Sequence, residues 1–266
     1  MIQVTKASGQ TEPLSLDKVR RSLYRAGAEP ATIDKILLEL KPKLYDKIAT
    51  REIYSQVFAL FNRFQKNQSF HYSLKPALMD LGPSGYPFED FIARLFTAMG
   101  YQTQTRVIIQ GKCISHEVDV VAQKSEQKFL IECKFHNRPG TKTESKDALY
   151  TQARFEDINS QHPGVYQKTW LVTNTKLTSQ AIQYGRCRNM ELLAWRYPAK
   201  GSLESLLEQY QIQPLTCLSF LTHQEKQQLF NHELVLCREV KAQTDKQLSA
   251  LGLADKTIKN IRSSLN

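Results

Sequence analysis

Three ionisable side chains, those of Asp119, Glu132 and Lys134, lie in a segment whose apolar residues alternate with polar ones. Residues 116–135 read HEVDVVAQKSEQKFLIECKF, and alternation with a period of two predicts two β-strands. Two carboxylates held close together repel each other, and a divalent cation between them removes that repulsion. Mg²⁺ prefers one or two carboxylates, with water and phosphate oxygens completing its shell, and a nearby lysine can orient the attacking water. These residue types therefore predict metal-assisted hydrolysis of a phosphodiester.

A hairpin between the two strands decides whether the carboxylates meet. The polar residues 124–127 predict the turn, and Gln123 then pairs with Lys128. Counting outward from that pair places Asp119 directly opposite Glu132, where cross-strand Cβ atoms lie roughly 5 Å apart. The charged side chains expected on the shared face of the sheet are those of Glu117, Asp119, Glu132 and Lys134.

A simpler interpretation is a solvated strand face with a salt bridge between Glu132 and Lys134. The facing acid at position 119 and the apolar reverse face of the strands favour a catalytic site instead. The same residues resemble the motif of the PD-(D/E)xK nucleases, most closely the Mrr-type restriction endonucleases, in which an Asp lies beside a Glu or Gln that is followed two residues later by Lys. Asp119 and Glu132-Cys133-Lys134 match that motif.

The Mrr resemblance implies a set of metal ligands. In that family a helix bearing a Glu precedes the catalytic strands, and residues 88–96, FEDFIARLF, supply it with Glu89. This acid is expected to reach the metal directly or through water. The remaining ligands that the resemblance implies are Asp119, Glu132 and the carbonyl of Cys133, with Mg²⁺ or Mn²⁺ as the cation.

The resemblance also implies a glutamine close to the site on the next helix. Residues 147–159 predict that helix, and Gln152 is the expected residue, with Tyr150 and Arg154 as neighbouring alternatives. Between Lys134 and the helix, residues 136–146 read HNRPGTKTESK. This reads as a solvated loop, but its position beside the catalytic motif predicts phosphate contacts. The residues predicted to contact DNA are His136, Arg138, Lys142 and Arg154.

Charge and its distribution agree with a nucleic-acid partner. The 266 residues carry a formal charge of +10, which favours polyanionic partners. Residues 201–266 contain seven Lys or Arg against seven Asp or Glu. The excess of positive charge therefore lies in the first 200 residues, and the neutral tail favours packing or homo-oligomerisation.

Other classes of protein are disfavoured by composition. No apolar run reaches the length of a membrane span and the first residues lack the pattern of a signal peptide, so a cytoplasmic protein without membrane partners is expected. The five cysteines have no CxxC spacing, which disfavours zinc and disulfide scaffolds. His116-Glu117 does not extend to HExxH, because Val120 holds the fifth position, and a structural or substrate-side histidine is expected there.

The first 81 residues predict a short hairpin, residues 2–14 with Ser8-Gly9 at its turn, followed by helices. Helical spacing of apolar residues marks helices near residues 16–26, 32–41 and 50–64, the last capped by Thr50, and a weaker one at 70–81 that contains Pro76. This arrangement resembles the ATP-cone, a nucleotide-sensing domain of ribonucleotide reductases and their repressor. The matching motifs are VxKxxG, LDKVRRS and TREI.

The ATP-cone resemblance implies ATP or dATP as a regulatory ligand. The residues that it places around the nucleotide are Val4, Lys6, Glu12, Lys18, Arg21 and Thr50. Cations would neutralise the triphosphate, Glu12 would bind the sugar or base, and Thr50 at a helix N-terminus would donate to phosphate. The chain has no GxxxxGK[ST] motif, so nucleotide is expected to be sensed without being hydrolysed.

The expected architecture is mixed, with α+β and α/β features in three parts. Residues 1–82 are expected to form the ATP-cone, residues 88–200 a restriction-endonuclease-like mixed sheet flanked by helices, and residues 201–266 a helical segment. The linker is residues 82–87, GPSGYP. The predicted function is a Mg²⁺-dependent DNA endonuclease regulated by nucleotide triphosphate. The alternatives are a nucleotide-responsive DNA-binding regulator without cleavage, and a nuclease acting on RNA or branched DNA.

Overall fold

The chain divides into two units, Met1–Pro76 and Ala77–Asn266, in a computed structural model that describes residues 2–6, 9–65 and 69–265. The expected division was into three parts with a boundary at residues 82–87. In the structure, residues 88–200 and the C-terminal helices lie in one unit, and the division between the two units falls inside a helix.

The first unit joins a small sheet to helices. Its strands are β1 (Gln3–Thr5), β2 (Thr11–Pro13) and β3 (Ile48–Ala49), in the order β2-β1-β3, with β2 antiparallel and β3 parallel to β1. Its helices are α1 (Leu16–Arg25), α2 (Pro30–Leu40) and α3 (Thr50–Phe64), and α4 (Ser69–Met79) contains the division between the units. Apolar residues at helical spacing are buried, among them Leu23, Ile36 and Phe61. The predicted order of hairpin and helices is confirmed, and Ser8 of the predicted turn lies outside the described residues.

Two expected helix starts in this unit are wrong. Helix α2 begins at Pro30, because proline is well suited to the first turn of a helix. Thr50 is the first residue of α3 and not its cap, and its hydroxyl donates to the carbonyl of Thr5 at 3.1 Å. A hydroxyl committed to the neighbouring strand is not presented to a phosphate.

A five-stranded mixed sheet forms the centre of the second unit. Its strands are β4 (Gln102–Gln110), β5 (Ser115–Lys124), β6 (Gln127–Lys134), β8 (Tyr166–Thr173) and β10 (Glu191–Leu193), in the order β10-β8-β6-β5-β4. Strands β4, β5 and β6 are antiparallel neighbours, whereas β6, β8 and β10 run parallel. A separate pair, β7 (Lys142–Thr143) and β9 (Lys176–Leu177), is also parallel. The predicted mixed sheet is confirmed.

Three helices accompany this sheet: α5 (Tyr86–Ala98), α6 (Ser145–Gln161) and α7 (Ser179–Cys187). Helix α5 starts two residues earlier than the expected Phe88, with Pro87 in its first turn. Helix α6 likewise starts before the expected Asp147, and Lys142 lies in β7 instead of a loop. The ring of Phe96 on α5 meets Trp170 on β8 edge-on, with centroids 5.2 Å apart, which fixes α5 against the sheet.

The hairpin between β5 and β6 has the predicted register and a shorter turn. Gln123 pairs with Lys128 as expected, but Lys124 also pairs with Gln127, so the turn has two residues instead of four. Ser125 accordingly takes a positive φ of 54°, as two-residue hairpin turns require. The expected loop is shorter by one residue on each side, so the pairing register of β5 and β6 is unchanged.

The C-terminal segment is helical, as predicted. It contains α8 (Leu203–Gln209), α9 (His223–Asn231), α10 (Cys237–Ala242), α11 (Asp245–Ala250) and α12 (Asp255–Leu265). A capping box of Thr222 and Glu225 starts α9. Thr216 donates its hydroxyl to the carbonyl of Ala77 at 2.7 Å, which ties this segment to the end of α4. Arg262 of α12 forms an ion pair with Asp245 of α11 at 2.8 Å.

No helix in the described ranges is both long and apolar enough to cross a lipid bilayer.

Candidate active site

The ladder between β5 and β6 ends one pair before the two predicted metal ligands. The last paired residues are Val120 and Ile131, so by count Asp119 faces Glu132. Beyond that point the backbone N–H of Cys133 donates to Oδ2 of Asp119 at 2.7 Å. A side-chain carboxylate therefore accepts the hydrogen bond of a strand N–H, and the two predicted acids lie at the place where the strands stop pairing.

Glu132 is held by an arginine from helix α6. Nη1 of Arg154 donates to Oε2 of Glu132 at 2.5 Å and to the carbonyl of Glu117 at 2.9 Å, and Nη2 donates to the hydroxyl of Tyr150 at 2.9 Å. The side chains of Arg154 and Glu132 are 14% and 17% exposed. Arg154, predicted as a DNA contact, is thus in direct contact with a predicted metal ligand.

Lys134 is tethered to the start of the same helix. Its Nζ lies 3.2 Å from Oδ1 of Asp147, and Oδ2 of Asp147 accepts the backbone N–H of Glu144 in the first turn. The lysine side chain is 43% exposed, so its ammonium can still reach a ligand from solvent. Against the larger effect of burial, which raises the pKa of Asp119 and of Glu132, the charge of Lys134 lowers both.

The N-terminal turn of α5 brings two further acids to the site. Glu89 and Asp90 are buried, and Arg106 of β4 lies 2.9 Å from Asp90 and 3.6 Å from Glu89. Arg106 has a positive φ of 53° and falls opposite Asp119 between the pairs Thr105–Val120 and Val107–Val118. Such backbone strain in a residue other than glycine concentrates at functional sites.

Electrostatics identify this group of acids as one cluster. Burial, followed by the charge of Asp119, raises the pKa of Glu89 to about 7 and that of Glu132 to about 7. Burial also raises the pKa of Asp119. Oε2 of Glu89 is buried without a hydrogen-bond partner among the described residues. Unpartnered carboxylate oxygens whose charge is disfavoured are suited to a cation, which would stabilise the ionised forms.

Not every predicted site residue joins the cluster. Gln152 is buried and its Nε2 donates to Glu156 on the same helix at 3.0 Å, so the α6 side chain that reaches the acids is Arg154. His136 is anchored by Thr143 at 3.0 Å, and burial lowers the pKa of its imidazole. Desolvation favours the neutral ring, and the DNA contact expected at His136 stays a prediction.

The remaining predicted DNA contacts lie at the surface. Arg138, in the loop after β6, and Lys142, the first residue of β7, are exposed, while the start of the loop is fixed by two hydrogen bonds between His136 and Asn174, at 3.0 Å and 2.8 Å. His116 is the structural histidine expected, since its Nε2 lies 2.8 Å from Asp157 of α6. A rigid loop base with two exposed cations suits a backbone-binding surface.

Sequence reasoning missed Asp90, Arg106 and the bond between Glu132 and Arg154. Arg106 stands in a strand of ordinary polar alternation, where nothing in the pattern distinguishes it from a solvated cation. Asp90 follows Glu89 directly, and that pair of acids in the first turn of α5 was a signal for a cationic partner. Only the strand order shows which cation it is.

The donor set fits Mg²⁺ or Mn²⁺, although the acids are not arranged around one point. In the part of the chain that the structure describes, no three His, Cys, Asp or Glu side chains are placed to hold an ion. One carboxylate oxygen of Asp119 accepts the backbone N–H of Cys133, and one carboxylate oxygen of Glu132 accepts a hydrogen bond from Arg154. Each carboxylate has a second oxygen, and two carboxylates completed by a main-chain carbonyl and water are sufficient for Mg²⁺.

In the first unit, the predicted nucleotide-binding cations are paired internally. Glu12 forms ion pairs with Lys6 at 2.7 Å and with Lys18 at 3.0 Å, and the two lysines lower the pKa of its carboxyl. Val4 is buried in the sheet, and Arg21 donates through Nε to the carbonyl of Asp17 at 3.3 Å. The three charged side chains of the hairpin and α1 thus satisfy one another.

Comparison with known proteins assigns two parts of the chain. Residues 82–196 match the family model described as "Restriction endonuclease", the Mrr catalytic domain, and residues 214–266 match the model described as "AF1548-like, C-terminal". An uncharacterized protein of Archaeoglobus fulgidus is 37% identical over 170 residues, which cover 64% of this chain and 95% of that protein. The crystal structure of the protein of unknown function AF1548 is 36% identical, with a TM-score of 0.61, and the match covers 68% of this chain and 96% of that one.

These matches correct the expected combination of an ATP-cone with a nuclease. The Mrr part is found, but its companion is an AF1548-like C-terminal domain, and no ATP-cone is matched. The motifs VxKxxG, LDKVRRS and TREI are short and each is weak, so that a hairpin with helices carrying them does not define that domain. On its second unit's fold and its similarity to nearly the whole of the archaeal protein, the chain belongs to the AF1548-like family, with a restriction endonuclease-like domain in residues 82–196.

Proposed function

We propose that the protein is a Mg²⁺-dependent DNA endonuclease whose active site is formed by Glu89, Asp119, Glu132 and Lys134. The observation that carries the proposal is that a buried carboxylate from α5, Glu89, and two half-buried ones from β5 and β6, Asp119 and Glu132, interact where the β5–β6 ladder ends. Proteins rarely bury acids with raised pKa values unless a cation or a reaction uses them. The match to a restriction endonuclease model supports the choice of reaction.

Each residue has a role that follows from its position. Asp119, Glu132 and the Cys133 carbonyl would hold Mg²⁺, or Mn²⁺ in its place, with Glu89 supporting the shell. The bound cation supplies neutralisation of phosphate charge and a more acidic water. Lys134, whose Nζ forms an ion pair with Asp147, orients the attacking water and stabilises charge on the phosphate oxygens.

DNA is the proposed substrate because two exposed cations follow, in sequence, the strand that carries Glu132 and Lys134. Arg138 and Lys142 follow β6 in sequence, Arg138 in the loop whose base His136 and Asn174 hold and Lys142 as the first residue of β7. Contacts of this kind hold the phosphate backbone without reading the base sequence. We also propose that the protein acts as a homo-oligomer, since cleavage of both strands of a duplex requires two active sites or two successive events.

Plasmid nicking tests the proposal. Supercoiled plasmid is incubated with the purified full chain in Mg²⁺, Mn²⁺ or EDTA, beside Asp119→Ala and a control, Glu126→Gln, in the exposed hairpin turn. Nicking by the wild-type and control proteins in Mg²⁺ or Mn²⁺ only, with loss in Asp119→Ala, is the expected result. Activity in Asp119→Ala would refute the assignment, and metal-independent DNA binding without cleavage by the wild type would identify a DNA-binding regulator instead.

Binding of ATP or dATP to the first unit stays a prediction that rests on Lys6, Glu12, Lys18 and Arg21 alone. A triphosphate would have to separate Glu12 from its two lysines. Isothermal titration calorimetry of the full chain with ATP, dATP and ADP decides it, and absence of heat with all three would remove nucleotide regulation from the proposal.

A further inference from the structure

The guanidinium of Arg154 is bonded to the carboxylate of Glu132, which is a predicted metal ligand. Its guanidinium contacts the Glu132 carboxylate at 2.5 Å, the Glu117 carbonyl at 2.9 Å and the Tyr150 hydroxyl at 2.9 Å. The guanidinium carbon also lies 4.8 Å from the centroid of the Tyr150 ring. One cation therefore joins the candidate active site on one side to an exposed aromatic side chain on the other.

The contact with Glu132 is shielded from water, and shielding makes it strong. Both side chains are mostly buried, so each would lose the opposite charge in direct contact with it if the other were withdrawn. The arginine thus neutralises part of the acid cluster in the absence of a divalent cation. It also accounts for the finding that the described acids are not arranged around one point.

We infer that Arg154 is a gate on metal binding: it is the resident counter-ion of Glu132, and it has to leave that carboxylate before the site can take a divalent cation. The inference rests on the proposed function, since it assumes that Asp119 and Glu132 are the metal ligands. It makes Arg154 a competitor of the cation for Glu132, and its presence lowers the affinity of the free protein for the cation.

The released guanidinium has a place to go. Tyr150 lies one turn before Arg154 on α6 and is 57% exposed, and its hydroxyl and ring already hold the outer edge of the guanidinium. An arginine swung toward Tyr150 would present its free N–H groups to solvent, where a phosphate can accept two of them. Phosphodiester and cation would then favour the same position of Arg154, so that each strengthens binding of the other.

A purely supporting role for Arg154 predicts the opposite sign. If the arginine only orients Glu132, its removal should weaken binding of the cation. If it competes with the cation, its removal should strengthen binding, by roughly tenfold or more for a close, shielded charge pair. The sign of the change separates the two roles without any measurement of cleavage.

The experiment measures Mn²⁺ binding to the full chain by electron paramagnetic resonance of the free ion, without DNA. Wild type is compared with Arg154→Ala and with Arg154→Met, which keeps the apolar stem and so guards against a folding defect. The control is Arg186→Ala, because Arg186 also binds a tyrosine hydroxyl, at 2.9 Å from Tyr197, and lies 5.7 Å from that ring, but has no contact with the acids. Asp119→Asn reports whether the ion occupies the proposed site.

Tighter Mn²⁺ binding in both Arg154 variants, unchanged binding in Arg186→Ala and loss in Asp119→Asn support the inference. Unchanged or weaker binding in the folded Arg154 variants overturns it and leaves the proposed function intact. Mn²⁺ binding that survives Asp119→Asn places the ion elsewhere and overturns the proposed function itself. As a second measurement, Ca²⁺ binding is compared with and without a short DNA duplex. The duplex should raise the affinity of the wild type for Ca²⁺ and should raise that of Arg154→Met less.

Discussion

The backbone N–H of Cys133 donates a 2.7 Å hydrogen bond to Oδ2 of Asp119, so a side-chain carboxylate replaces a strand carbonyl as the partner of that amide. The bond has two consequences. It holds the acid at the point where β5 and β6 separate, and it leaves Oδ1 of the same carboxylate for another ligand.

Replacing Asp119 separates its structural bond from its charge. Asn keeps an oxygen that can accept the Cys133 N–H, whereas Ala leaves that amide without its partner. Both variants should abolish nicking, but Asp119→Ala should be less stable than Asp119→Asn by about 1 kcal/mol, the usual cost of an unpaired buried donor. Urea unfolding in EDTA measures the difference, and equal stability of the two variants would show that water replaces the carboxylate.

The ionised carboxylate of Glu89 should destabilise the metal-free protein at neutral and higher pH. Its folded pKa is raised to about 7, so its contribution favours folding below the unfolded value and is lost as pH rises through about 7. Gln imitates the protonated acid, and Glu89→Gln should therefore be more stable than wild type at pH 8, by as much as about 3 kcal/mol, and similar at pH 4. Denaturant unfolding in EDTA at both values measures this, with Glu126→Gln as the control; a gain that is the same at both pH values would contradict the assignment.

Lys134 should act in the chemical step more than in binding. Lys134→Ala is expected to slow nicking in Mg²⁺ by roughly a hundredfold or more, with less than about a threefold change in affinity for DNA. Lys168→Ala is the matched control, because Lys168 pairs with Glu191 at 2.6 Å on the same sheet. Cleavage assays and fluorescence anisotropy with Ca²⁺ provide the two readouts, and loss of affinity equal to the loss of rate would assign Lys134 to binding.

Arg138 and Lys142 should contact phosphates. Each alanine variant is expected to weaken DNA binding at low salt and to reduce the slope of log K against log salt by about one. His136→Ala should leave that slope unchanged and lower stability, because burial lowers the pKa of the ring, which favours its neutral form, and the ring is hydrogen-bonded to Thr143. Salt titrations of anisotropy test all three, and a changed slope in His136→Ala would restore the histidine as a DNA contact.

Asp157 should support the fold down to acid pH. A hydrogen bond from His116 lowers the pKa of its carboxyl to about 2, so the stability that it provides is present above about 4 and is lost as pH falls toward 2. Asp157→Asn should be less stable than wild type at pH 5, and the two should converge near pH 2. Trp fluorescence during acid titration follows this, and a constant difference between the proteins would exclude the ionised carboxylate as its source.

The sequence alone determined the strands, their register and the identity of the two facing acids. Alternation over residues 116–134 fixes which side chains share a face, because the side-chain period of a strand is two, and the pair Gln123–Lys128 survives a wrong turn length because the loop shortens symmetrically. The mixed sheet and its helices follow from the same kind of local pattern. The short N-terminal motifs, in contrast, predicted an ATP-cone, and that prediction is wrong.

Only the tertiary structure decided which cations serve the acids. Arg106 lies 16 residues from Asp90, and Arg154 lies 22 residues from Glu132, on elements whose approach depends on the order of strands and the packing of α5 and α6. Local pattern contains no information on such pairs, since a cation at a given position on a helix or strand can face solvent or any neighbour. Desolvation behaves in the same way: the raised pKa values of Glu89 and Glu132 come from burial, which exists only once distant segments cover them.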